Sequence, residues 1–276
     1  VTALRGRLEA LRARYDTGTA LALDPLTAAL RYEDPADREA AAWLAASLAY
    51  GRVAPMLRAI HAALEPLGDH PASFLRARDE PALRAALGKA LKDWRWRFHT
   101  GADAAEWLLA WKRLDAHGGL ESHFLPGADG DADATLSRLM QRLRAELPAT
   151  YGLRFSLPDP REGSACKRMR MFLRWMVRDG WPDLGLWRRY PKAALVIPVD
   201  THVARIARFV RLSGRATPDG RMAAEITAAL RRCDAEDPLK YDFALSHLGI
   251  LGDCPGLRRQ ATCAPCPLYA ACQAGR

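Results

Sequence analysis

Apolar positions along this chain recur at three- and four-residue intervals instead of alternating, which predicts helices and almost no strand. Leu4, Leu8, Leu11 and Tyr15 mark one amphipathic helix. Asp34-Pro35 is a helix start with proline at the first helical position, and the Ala- and Leu-rich run over 36–50 ends at Gly51. Further helical patterns cover 53–67, 80–92, 104–117 and 134–147. Val196-Ile197-Pro198-Val199 is the one β-branched run, and its proline argues against a central strand.

The loops divide the chain. Residues 126–133 form a Gly/Asp linker whose Asp129, Asp131 and Asp133 have the spacing of a calcium loop. Ala134 and Met140 stand where that loop needs Gly and Glu, so a solvated linker is expected. Residues 157–163 are Pro-rich and polar, a break between two halves. The expected fold is all-α: two helical lobes with a central cleft and a C-terminal loop that binds a cluster. One lobe is expected over 36–184, and the other combines 1–35 with 185–276.

Charge narrows the partners. Lys plus Arg outnumber Asp plus Glu by 41 to 32, a net charge of +9. That balance suits a polyanion such as nucleic acid, and also an ordinary basic enzyme. No apolar run reaches membrane-spanning length, and residues 1–15 lack the apolar stretch of a signal peptide, so a cytoplasmic protein is expected. In that compartment the six cysteines read as metal ligands or free thiols, not disulfides.

Four of them close the sequence as Cys254-x8-Cys263-x2-Cys266-x5-Cys272. Tetrahedral zinc ribbons usually use two C-x-x-C pairs, and here there is one. The uneven spacing over 254–272 favours a [4Fe–4S] cluster, one thiolate per iron, over zinc. All four corners would carry a ligand, so the cluster's role is to fix a loop too short to fold alone. Arg258 and Arg259, inside the first gap, are candidates for DNA phosphate contact. Cys166 and Cys233 lie far off and read as buried small hydrophobes.

Upstream, a helix opens near Gly163 with Ser164 as candidate N-cap and runs to about Arg178. Ala165, Met169, Phe172, Leu173 and Met176 share one face, and Lys167, Arg170, Arg174 and Arg178 the opposite one. The basic face is either solvated or phosphate-binding, with Arg168, Arg170 and Arg174 as candidate DNA contacts. Lys167 sits where the helix dipole and like charges disfavour a cation, which suits an amine nucleophile. The stretch Val196 to Arg208, V-I-P-V-D-T-H-V-A-R-I-A-R, opens a second helix at Asp200. A carboxylate held by backbone N–H groups stays ionised, so Asp200 can cap and also stabilise an oxocarbenium-like sugar or activate an amine or water. His202 is expected to support the turn by hydrogen bonding, and Arg205 on the same helix is a candidate DNA contact.

Asp200 within V-D-T-H-V-A-R-I, the upstream lysine helix and the C-terminal four-cysteine loop together resemble the helix-hairpin-helix DNA glycosylase superfamily, over roughly 160–272. Endonuclease III and the adenine glycosylases are its cluster-bearing members. The resemblance implies Lys167 as the Schiff-base lysine of bifunctional members and Asp200 as the essential aspartate. It implies Cys254, Cys263, Cys266 and Cys272 as ligands of a [4Fe–4S] cluster. Three features depart from it. Only Gly163 matches the usual L-P-G-x-G hairpin, the first cysteine gap is x8 and not x6, and the lysine and aspartate lie 33 residues apart. That separation is similar to the archaeal 8-oxoguanine glycosylases and suggests a divergent bacterial branch.

A base-excising enzyme must hold an everted base by stacking and hydrogen bonds. Trp175, Trp181, Trp187, Tyr241 and His202 are candidates, and Asp242 is either an acceptor for a purine such as 8-oxoguanine or a surface or capping carboxylate. The expected partner is double-stranded DNA containing a damaged base, met by a monomer. The expected activity is base-excision DNA glycosylase, with AP-lyase chemistry if Lys167 attacks. Two alternatives stay open: a non-catalytic binder of damaged or branched DNA, and a zinc-stabilised interaction module.

Overall fold

The computed structural model describes residues 2–127 and 130–275; Asp129 of the linker lies outside the described residues. In chain order the helices are α1 (Thr2–Tyr15), α2 (Gly18–Leu21), α3 (Thr27–Leu30), α4 (Pro35–Leu48) and α5 (Val53–Leu64). Then come α6 (Pro71–Arg76), α7 (Glu80–Ala90), α8 (Gly101–Ala116), α9 (Leu120–Phe124), α10 (Ala132–Glu146) and α11 (Tyr151–Ser156). The last are α12 (Lys167–Val177), α13 (Thr201–Phe209), α14 (Gly220–Arg231), α15 (Asp242–Ile250) and α16 (Gln260–Cys263). Carboxylates and hydroxyls start many of them by accepting the orphan amide protons of the first turn. Asp34 accepts from Ala36 and Asp37, Asp131 from Ala134, and Asp219 from Met222. Thr100 and Asp103 form a reciprocal capping box at α8.

Among the described residues, strand is confined to β1 (Arg95–Trp96) and β2 (His99–Thr100), a two-residue antiparallel ladder that periodicity does not reveal. Arg97 turns it with a φ of 52°. The extended run 196–199 joins no sheet among the described residues. No helix among them is long and apolar enough to cross a membrane.

The chain divides into two compact units. The central unit is Leu23–Glu162 with Leu186–Tyr190. Its core holds Trp43 against Trp107, rings stacked at 4.7 Å. Each indole N–H donates to the other tryptophan's backbone carbonyl, at 2.9 and 3.0 Å, so neither buried donor is left unsatisfied. A side chain at Gly101 would strike the Leu91 carbonyl at 1.8 Å, so α8 can start there only with glycine.

The terminal unit joins the N-terminal stretch through Ala22, Gly163–Gly185 and the chain from Pro191 onward. Its core includes Leu8 and Leu11 of α1, Phe172, Trp175 and Met176 of α12, Ile206 of α13 and Phe243 of α15. The break at 157–163 thus falls at a unit boundary, as its composition suggests. The expected lobe over 36–184 needs correction, because the lysine helix α12 belongs to the terminal unit. The reason is its apolar face: Phe172, Trp175 and Met176 are wholly buried there. Residues 23–35 move the other way, into the central unit.

Candidate active site and cysteine loop

Lys167 is the first residue of α12, and Asp200 caps α13. Asp200 Oδ1 accepts the Val203 amide proton at 2.8 Å. Its other oxygen, Oδ2, lies 3.4 Å from the Lys167 ammonium nitrogen. One carboxylate therefore serves a helix end and an amine 33 residues upstream. Two local devices set this geometry. Ile197 donates its amide proton to Thr227 Oγ1 at 3.0 Å, which ties the extended segment before Asp200 to α14. Cys166, with a φ of 44°, turns the chain into α12. Ser164 is not the N-cap that composition suggests. Its hydroxyl accepts from the Cys166 amide at 3.1 Å, so it shapes the preceding turn and leaves the first turn of α12 without a side-chain cap. The Lys167 side chain keeps 36% of its surface exposed, against 15% for Asp200. The amine is open to a reactant, with an acceptor behind it.

The basic face of α12 is not a phosphate-binding surface. Arg170, Arg174 and Arg178 are buried, and Arg168 nearly so. Arg174 pairs with Asp183 at 3.1 Å and with Asp242 at 2.5 Å. Arg178 pairs with Asp183 and, at 2.8 Å, with Asp237. Burying a guanidinium costs several kcal/mol, on the order the interior allows only when carboxylates meet it, so the face folds inward onto its counter-charges. Asp183 and Asp237 were the missing signal: four cations at helical spacing need partners if the helix is internal.

Asp242 is neither a surface nor a capping carboxylate. It is buried, bound to Arg174, and its Oδ1 has no hydrogen-bond partner among the described residues. Burial pushes its carboxyl up to about 6; Arg174 opposes the shift, and the charges of Asp200 and Asp183 add to it. Asp242 therefore belongs to the electrostatic surroundings of Asp200. Tyr241 is core: its hydroxyl donates to Glu9 at 2.8 Å. Trp175 is wholly buried, and Trp187 is buried in the central unit with its indole N–H on Glu39 at 2.6 Å. None of the three presents a ring for stacking. Trp181 does, lying exposed against the edge of Phe243. His202 Nδ1 is buried without a hydrogen-bond partner among the described residues, and the ring packs on Gly249 of α15, where an added Cβ would sit 2.5 Å from that nitrogen.

The four C-terminal cysteines line one pocket together with Ile206, Val210 and Leu248. Among the described residues no group of three or more His, Cys, Asp or Glu side chains is arranged to hold a single metal ion. A tetrahedral zinc site gathers four sulfurs at about 2.3 Å from one point. A cube of four irons and four sulfides needs thiolates spread around a larger space. Four thiols around one pocket supply a soft donor set that suits either, and it is the uneven spacing over 254–272 that favours the cube. The loop is tied down on two sides. Tyr15 donates to Asp253 at 2.5 Å from α1, and Arg205 of α13 donates to the Cys254 carbonyl at 3.2 Å. Arg258 turns inward as well, onto the Cys272 carbonyl at 3.1 Å and the Tyr269 ring at 4.2 Å. Arg205 and Arg258 thus brace the loop, and of the arginines singled out for DNA only Arg259 is exposed. Cys166 and Cys233 are buried and form no disulfide among the described residues.

No curated protein and no solved structure matches this chain. A family model described as a protein of unknown function (DUF2400) matches residues 24–251, a span that holds Lys167, Asp200 and Asp242 and stops short of the cysteines. The chain belongs to that DUF2400 family.

Proposed function

We propose that this protein is a base-excision DNA glycosylase, with Lys167 as nucleophile and Asp200 as its proton acceptor. The observation that carries the reading is the 3.4 Å approach of the Lys167 amine to Asp200 Oδ2, across 33 residues and between two helix starts. As a surface ion pair it would contribute about 0–1 kcal/mol, which does no more than offset the cost of a cation against the dipole of α12 and leaves no net gain in stability. A reactive amine explains it.

The chemistry balances. The Lys167 amine, once its proton passes to Asp200, bonds to C1′ of the damaged nucleotide. The N-glycosidic bond breaks, its electron pair leaves with the base, and the base takes up a proton. Opening of the sugar ring leaves an imine, and loss of a C2′ proton then expels the 3′ phosphate. If the amine only orients Asp200, the same carboxylate activates water and the base leaves without strand cleavage. The resemblance and the lysine-to-aspartate separation point to 8-oxoguanine. A [4Fe–4S] cluster held by Cys254, Cys263, Cys266 and Cys272 would act as a structural clamp on the loop that α13 braces. The expected setting is double-stranded DNA in the cytoplasm, met by a monomer.

Borohydride trapping on duplexes carrying 8-oxoguanine or an abasic site tests the nucleophile. The expected result is a covalent adduct with the native protein and none with Lys167→Gln. Absence of an adduct with the native protein removes the lyase step. Tight binding of damaged or branched DNA without base release would favour a non-catalytic binder.

A further inference from the structure

In the central unit, four aromatic rings form a cluster that opens to solvent. Tyr50 stacks on Phe98 at 5.2 Å, Phe98 meets Phe155 edge-on at 4.6 Å, and Tyr151 meets Phe98 edge-on at 4.9 Å. Tyr151 is 70% exposed and Phe155 37%, among the few large apolar groups that face water. An aromatic side chain left exposed forgoes up to about 1.5–3 kcal/mol of burial, so two that both meet the Phe98 ring are not ordinary surface. Their backbone supports are rigid. Tyr151 and Phe155 lie four apart on α11, and Phe98 sits in the turn of the β1–β2 hairpin. The Tyr50 hydroxyl is fixed by His99 at 2.6 Å and by the Trp96 carbonyl at 3.2 Å, so that ring cannot swing away.

Charge says what covers the cluster. Arg97 lies over the Tyr50 ring at 5.8 Å. Arg52 and Arg154 flank the aromatic residues in sequence, and all three arginines are exposed. None of the three makes an ion pair among the described residues, whereas the buried arginines of α12 do. Solvated guanidinium groups beside open aromatic faces match a ligand that is both stackable and anionic, which is an unpaired nucleotide strand. An apolar protein partner would leave the unpaired cations without a reason.

We infer that Tyr50, Phe98, Tyr151 and Phe155, with Arg52, Arg97 and Arg154, form a stacking platform for unpaired bases of a DNA strand. It rests on the reading of the protein as DNA-binding and not on base excision, so the two fail separately. The test is fluorescence anisotropy with a labelled, lesion-free oligothymidylate and with an abasic-spacer strand of the same length, using Lys167→Gln protein so that no turnover intervenes. The expected result is markedly weaker binding of the base-free strand. Tyr151→Ala and Phe155→Ala, both at exposed positions, should each weaken oligothymidylate binding roughly tenfold, and Tyr151→Phe should retain it. Arg97→Ala should lower affinity and flatten its salt dependence. Equal affinity for the two strands, or native affinity in both alanine variants, would overturn the platform. So would loss of a self-associated species in Tyr151→Ala, seen by sedimentation, with strand binding unchanged.

Discussion

Arg174 holds Asp242 in an ion pair of 2.5 Å in which neither side chain reaches solvent. The pair stops short of full compensation: burial outweighs the guanidinium, and the Asp242 carboxyl is pushed up to about 6. Asp200 and Asp183, the other carboxylates acting on it, push the same way. A buried aspartate within electrostatic reach of Asp200 therefore keeps its proton to a higher pH than an exposed one does.

A pH signature follows from that shift. A carboxyl with a raised value in the fold favours folding below its ordinary value of 3.8 and loses that contribution as pH rises through about 6. The native protein should therefore gain thermal stability relative to Asp242→Asn as pH falls from about 7.5 to 5. Calorimetry of the two proteins across that range measures the difference. A difference that shrinks toward acid would mean that the Arg174 ion pair outweighs burial.

Asp183 supports two buried guanidinium groups at once, those of Arg174 and Arg178. Asp183→Ala leaves both short of a partner, and a broken buried pair costs about 3–5 kcal/mol. Urea unfolding should show a midpoint lowered by that loss divided by the slope, with the slope itself unchanged. A loss under about 1 kcal/mol would show that Asp237 and Asp242 suffice for the two arginines.

Gly249 lets α15 close on α13. Gly249→Ala places a methyl 2.5 Å from His202 Nδ1 and should destabilise by about 1–3 kcal/mol, the usual effect of overpacking. His202→Ala in the same protein should restore most of it, since it empties the space the methyl needs. Equal losses in the single and double variants would place the strain elsewhere.

The cysteine loop should carry iron and inorganic sulfide in equal amounts, with visible charge-transfer absorption. Cys263→Ser or Cys272→Ser should abolish both and lower the melting temperature, because Arg205 loses the loop it braces. Cys166→Ser, at a buried thiol outside the loop, should leave the iron content unchanged. Zinc without sulfide in the native protein would contradict the cluster and favour a zinc-stabilised module.

Much of this was legible in the chain. The helices followed from three- and four-residue spacing, and the Asp200 cap from an aspartate ahead of a buried stripe. The Lys167–Asp200 approach was expected from resemblance and depends on tertiary packing that no local pattern encodes. Orientation was the hardest to read. The helical spacing placed Arg170, Arg174 and Arg178 on one face correctly, but periodicity cannot tell a solvated basic face from one that meets distant carboxylates. Asp183 and Asp237 reach α12 from outside it, and Asp237 lies 59 residues beyond Arg178. Trp175 and Tyr241 failed as stacking candidates for a similar reason, since an aromatic residue in a helix fits a core as readily as a pocket. The Tyr50–Phe98–Phe155 cluster has no signature in the sequence, because its rings come from three separate parts of the chain.

Base release from duplexes carrying single lesions, 8-oxoguanine first, tests the central claim most directly when the native protein is run beside Asp200→Asn and Lys167→Gln. The account predicts release by the native protein and a fall of at least about 100-fold in Asp200→Asn, with DNA affinity retained in both variants. Undiminished release by both variants, or no release of any lesion by native protein that binds those duplexes, would contradict it.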